Sequence, residues 1–168
     1  YTFRPADGAE NVECWKVALN LNAPCAFVCS RQGLNPLDEA KFGSVANGAY
    51  LIKESKNPQI TLVASGSEVG LCLEAANLLE NSDIGVNVVS APCFDLLCEQ
   101  ESSYIKRIFA PQTKVLAVEA ATALEWYKFA NNVFGMSSFG ASAPADELFK
   151  HFGFSATNIA NVAKEMLK

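Results

Sequence analysis

Arg31 is the residue of this chain best placed to do chemistry. It directly follows residues 23–30, APCAFVCS, a nearly continuous apolar run that suits a strand buried on both faces of a parallel sheet. A side chain leaving the C-terminal end of such a strand stands where open α/β sheets bind ligands. A guanidinium there can grip a phosphate through two parallel hydrogen bonds. Pattern alone favours a plainer reading, a solvated or ion-paired arginine at a strand end.

The other reactive side chains make weaker cases. Ser65–Gly66–Ser67–Glu68 reads as a strand-to-helix turn. Free N–H groups at that helix start suit an anion, but one glycine falls far short of a phosphate loop. Glu68 already supplies an internal counter-charge, so helix capping is the expected role. His151 is the only histidine and falls late in a helix. A lone imidazole without a paired nucleophile reads as structural. Glu119 ends an apolar strand, where a hydrogen-bonded packing role is expected. Asp38, Glu39, Asp146 and Glu147 read as exposed turn or helix-start acids. The six cysteines, at 14, 25, 29, 72, 93 and 98, match neither zinc nor redox spacing. Core packing accounts for Cys25, Cys29 and Cys72. Reduced thiols and a cytoplasmic setting follow.

Alternating strands and helices must position these groups. Asp7 with Glu10 resembles a capping box, and Val12, Trp15 and Leu19 recur after it at helical spacing. Strands are expected at 49–54, 60–65, 86–90 and 115–119, in addition to 23–30. Helices are expected from Ser67, with Val69, Cys72, Ala76 and Leu79 on one face, within 94–109, over 125–131, and from Ser155 with Ile159, Val162, Ala163 and Met166 inward. Residues 33–48 hold Gly33, Pro36, Gly43, Asn47 and Gly48 without a strong period and form the best linker candidate. This alternation predicts an α/β three-layer sandwich with a mainly parallel (mixed) sheet.

The bulk properties exclude several classes. The chain's 168 residues suffice for one solid core or one domain plus part of another. Thirteen basic residues against eighteen acidic give a net charge of −5, which disfavours a nucleic-acid surface. The longest basic pair, Lys106–Arg107, reads as a solvated helix face. No apolar run approaches a membrane span, and no secretory signal pattern is visible.

Residues 139–154, FGASAPADELFKHFGF, describe a loop that opens a helix and closes it. Pro144 suits its first turn, Asp146 and Glu147 its positive end, and Gly153 its stop. Leu148, Phe149 and Phe152 form its apolar stripe. This string resembles the C-terminal signature of transketolases. FRPADG at 3–8, SRQGL at 30–34 and ASGSEV at 64–69 stand in the order and approximate spacing of that family. The resemblance covers essentially the whole chain but only about the final quarter of such an enzyme, and truncation is the expected reason for the start at Tyr1. It implies that 1–37 is the C-terminal part of a pyrimidine-binding domain, 38–47 a linker and 48–168 the transketolase C-terminal domain.

For function, the resemblance implies a two-carbon ketol transfer from a ketose phosphate to an aldose phosphate. That chemistry needs thiamine diphosphate and Mg²⁺, and the full-length enzyme is expected to be a homodimer. Arg31 is the implied substrate-binding residue, matching the arginine of the SRQ motif that holds the sugar's terminal phosphate. Gly33 departs from the asparagine many members carry there. The metal and diphosphate motif, the activating glutamate and the sugar-binding histidines fall upstream of Tyr1 in the family. The chain alone is therefore expected to lack catalytic, cofactor and metal residues and to be inactive. Two alternatives stay open. One is a non-catalytic α/β module binding a small anionic ligand at its strand ends. The other is the C-terminal part of a related enzyme such as dihydroxyacetone synthase, while the SRQ motif and residues 139–154 argue against deoxyxylulose phosphate synthase.

Overall fold

The structure is a computed structural model that describes residues 1–37 and 45–168. Its centre is a five-stranded sheet in the order β3-β5-β4-β6-β7. These strands are β3 (Tyr50–Lys53), β4 (Ile60–Ala64), β5 (Val86–Ser90), β6 (Lys114–Glu119) and β7 (Asn132–Gly135). β4 through β7 run parallel, and β3 pairs antiparallel with β5, so the sheet is mixed as expected.

Alternation along each strand builds the three layers. Leu62, Ala64, Val86, Val88, Leu116 and Val118 face one side. There they meet α2 (Glu68–Glu80) and the C-terminal helix α6 (Ala156–Met166). Val63, Val89, Val115 and Ala117 face the other side. They meet α3 (Phe94–Cys98), α4 (Ser102–Ile108) and a 3₁₀ turn, Leu124–Lys128. The central strands β4 and β5 are buried throughout, which explains their unbroken apolar character.

Local chemistry sets the helix ends. The Ser155 hydroxyl accepts from the Asn158 N–H at 3.2 Å and starts α6. Ile159 and Ala163 are fully buried as expected, whereas Val162 and Met166 are half-buried. α5 (Ala145–His151) follows Pro144 and ends before Gly153, whose φ of +79° favours glycine. No α5 residue is fully buried, though Phe149 and Phe152 pack against the core. His151 is exposed beside the Phe152 ring, and Arg107 on α4 lies over Tyr104.

The N-terminal segment forms its own parallel pair, β1 (Thr2–Phe3) with β2 (Ala26–Phe27), joined by α1 (Gly8–Asn20). Here the structure corrects two expectations. The strand expected over 23–30 is only two residues long and is not buried on both faces. With two strands in its sheet, β2 lacks the neighbours that would enclose it. Cys25 is consequently half-buried and Cys29 exposed, whereas Cys72 is buried. The stripe Val12, Trp15 and Leu19 faces outward, with Leu19 79% exposed. Trp15 stacks on Phe27 at 4.3 Å. Of the linker expected over 38–47, residues 38–44 lie outside the described ones, as do Asp38 and Glu39. Val45–Asn47 form a 3₁₀ turn.

Candidate functional site

The FRPAD stretch at the start of the chain seats the N-terminal segment on the sheet's C-terminal edge. β4 leads through α2 to β5 on one side, and the chain then crosses back to place β6 on β4's other side. The connections therefore diverge between β4 and β6, the crevice where ligands settle in open sheets. In this molecule Arg4 occupies it. Its backbone N–H donates to Pro92 O at 2.8 Å, and its carbonyl accepts from Gly66 N–H at 2.9 Å. Its guanidinium pairs with Glu68 Oε2 at 3.1 Å and with Glu119 Oε1.

Both carboxylates are almost fully buried, so their remaining oxygens need donors. Glu119 Oε2 accepts from the Ser65 hydroxyl at 2.8 Å and the Trp126 indole N–H at 3.4 Å. Glu68 Oε1 accepts from the Ser67 hydroxyl at 2.6 Å, and Oε2 from the Ala120 N–H at 3.3 Å. Ser67 therefore precedes α2 without side-chain capping, because its hydroxyl turns to Glu68 instead. A cleft of about 630 Å³ opens beside this network, lined by Asp95, Glu119 and Glu125 with Arg4, Phe94 and Trp126. One arginine already paired twice, among three carboxylates, makes a poor anion cradle. The charge here disfavours an anionic ligand at the strand ends.

Nor does this donor set fit thiamine diphosphate, whose two phosphates need free N–H groups or cations. Among the described residues, no three His, Cys, Asp or Glu side chains come together to hold a metal ion.

Arg31 lies outside that cleft. It is exposed on the loop after β2, and the Ser30 hydroxyl donates to the Gln32 carbonyl across it at 2.8 Å. The loop is held at both ends by the FRPAD stretch. Val28 N–H donates to Phe3 O at 2.9 Å, and Leu37 N–H donates to Asp7 Oδ2 at 3.0 Å. Asp7 Oδ1 accepts from Glu10 N–H at 2.7 Å, the cap expected of this pair. Glu10 reaches back one residue further than in a capping box, taking the Ala6 N–H at 2.5 Å.

The stretches that stood out in the sequence also meet in space. Ala6, Gln32, Ser67, Asp146 and Phe149, drawn from all four, line one cleft of about 420 Å³. Among the described residues no cationic side chain lines it, so it reads as a seam between the N-terminal segment, α2 and α5. The sequence did not single out Arg4, although it lies in the FRPADG stretch. Its partners are remote in the chain, and no local pattern signals such a pairing.

Fold and site define a mixed α/β sandwich with an N-terminal segment clamped over its strand ends, presenting one arginine loop to solvent. Comparison with known proteins assigns it: a model of the transketolase-like TK C-terminal domain matches residues 48–155, and the chain belongs to that family. Transketolase 2 of Aliivibrio fischeri is 41% identical over 99% of this chain and 26% of its own length. A crystal structure of the Campylobacter jejuni transketolase superposes with a TM-score of 0.90 at 52% identity, covering 96% of this chain and 25% of that one. The Pichia stipitis transketolase solved with sedoheptulose-7-phosphate gives 0.92 at 30% identity, covering 99% and 25%. The chain thus spans about a quarter of the length of these relatives. No described helix is long and apolar enough to cross a membrane.

Proposed function

We propose that this chain supplies the phosphate-reading arginine of a transketolase. The whole protein would move a two-carbon ketol unit from a ketose phosphate to an aldose phosphate, as a homodimer in the cytoplasm. One observation carries the reading: Arg31, in its Ser-Arg-Gln setting, is exposed on a loop fastened at both ends. A fixed backbone and an exposed guanidinium suit a ligand that arrives from solvent. The complex of the Pichia stipitis relative with a phosphorylated ketose supports the same chemistry.

Thiamine diphosphate and Mg²⁺ would be held by parts of the whole protein outside this chain, a reading supported by the acidic cleft beside Arg4, which offers no free cation for the two phosphates. Arg31 would hold the phosphate end of the sugar, away from the reacting carbons. The rest of this chain would anchor the loop.

The direct test is an assay of ketol transfer with thiamine diphosphate and Mg²⁺, using the whole polypeptide and residues 1–168 side by side. Transfer between sugar phosphates by the whole polypeptide alone is expected. Transfer by residues 1–168 alone, or none by the whole polypeptide, would overturn the proposal.

A further inference from the structure

Asp7 uses its two carboxylate oxygens for two unrelated tasks. Oδ1 caps α1 at the Glu10 N–H, 2.7 Å away. Oδ2 takes the Leu37 N–H at 3.0 Å, thirty positions along the chain. Capping alone needs one oxygen, and serine or threonine supplies it nearly as well. The second oxygen is spent on the loop that carries Arg31.

We infer that Asp7 is a positioning residue for Arg31, fastening the far end of that arginine's loop; the inference rests on the proposed role of Arg31. The near end of the loop is fixed by the ladder bond from Val28 N–H to Phe3 O. Within the loop, the Ser30–Gln32 hydrogen bond tightens the turn around Arg31. The far end has Asp7. The side chain is buried, 6% exposed, so water competes little for the Leu37 N–H. The anchoring stretch is itself immobilised on the sheet through Arg4, by two backbone hydrogen bonds and the Glu68 and Glu119 ion pairs. A line of fixed contacts therefore runs from the crevice between β4 and β6, through residues 3–7, to both ends of the loop. Without the Oδ2 contact, the far end loses its described hydrogen bond to residues 3–7 and keeps the packing of Leu37 against the core. Small misplacements of a positioning group are costly in binding.

The test uses the whole polypeptide and the variant Asp7→Ser, which keeps an oxygen for the cap and withdraws the one that reaches Leu37. Asp7→Asn, nearly the same size but one acceptor short, serves if Asp7→Ser fails to fold. Each is assayed with a ketose phosphate and with the same ketose lacking its phosphate, and amide exchange is read at Leu37. KM for the phosphorylated sugar should rise about fivefold while kcat stays within about twofold, a smaller effect than removing Arg31 itself, because the guanidinium is displaced and not deleted. The unphosphorylated sugar should be indifferent, and Leu37 exchange should quicken. In an Arg31→Ala background the Asp7 change should add nothing. If Arg31→Ala discriminates between the two sugars but Asp7→Ser does not, the inference falls and the proposed function stands. If Arg31→Ala itself fails to discriminate, the role of Arg31 falls and the inference with it.

Discussion

Glu10 poses the hardest electrostatic problem among single residues, being fully buried with no cation paired to it among the described residues. Its Oε1 accepts from the Tyr50 hydroxyl at 2.7 Å and the Ser90 hydroxyl at 2.6 Å, and its Oε2 from the Ala6 N–H at 2.5 Å. Burial pushes its carboxyl above the ordinary value of 4.5, Asp7 pushes the same way, and the three hydrogen bonds oppose the rise. A raised native pKa stabilises the fold fully below the unfolded value and loses that contribution as pH climbs through the native one. Acidification from pH 7 toward 4.5 should therefore strengthen the wild type relative to Glu10→Gln. The amide cannot titrate, and the two hydroxyls can turn to accept from it. Urea midpoints of both proteins across that range measure the difference, and parallel curves would contradict it. Burial also raises the Cys14 and Cys72 thiols, which marks them as inert core residues.

Gly48 shows how one position fixes the entry of an element. It links the Val45–Asn47 turn to β3 with a φ of +82°. A Cβ there would stand 2.2 Å from Leu97 N and 2.4 Å from Cys93 O, both backbone atoms. Gly48→Ala should cost about 2–4 kcal/mol, read as a lower denaturation midpoint, because backbone strain and a clash combine. A change under about 0.5 kcal/mol would mean the turn relaxes freely. Elements with a full local signal were readable in the sequence. The apolar runs of β4, β5 and β6 and the buried face Val69, Cys72, Ala76 and Leu79 of α2 stand where expected. Elements whose signal depends on partners were not. β7 was missed, since Asn132–Gly135 is four residues long, ends in glycine and is never fully buried. The helix expected over 125–131 is instead the Leu124–Lys128 3₁₀ turn leading into it. The α1 stripe has the period of a buried face, but period cannot say whether a partner covers it. The site divides in the same way. Arg31 stands out in the sequence because it sits in a short motif, while the Arg4 network and the Asp7–Leu37 bond join residues far apart in the chain.

Over the whole molecule, the sheet domain and the N-terminal segment differ in completeness. The sheet is covered by helices on both faces. The N-terminal segment leaves Val12, Trp15, Leu19 and Val28 exposed, in a chain spanning about a quarter of its relatives' length. Hydrogen bonds from residues 1–10 attach it to the sheet domain, and Asp7 within that stretch holds the Arg31 loop. Arg31 is the proposed reader of phosphate, carried by a segment that the sheet domain anchors. Steady-state kinetics of Arg31→Ala in the whole polypeptide, with a ketose phosphate and its unphosphorylated counterpart, tests that claim most directly. Such a contact helps ground state and transition state alike, so KM should rise while kcat changes little. For the phosphorylated sugar, kcat/KM should fall about ten- to a hundredfold, with Arg31→Lys recovering only part of it. The unphosphorylated sugar should be nearly indifferent. Equal losses with both sugars would contradict the account and make Arg31 a support of the fold.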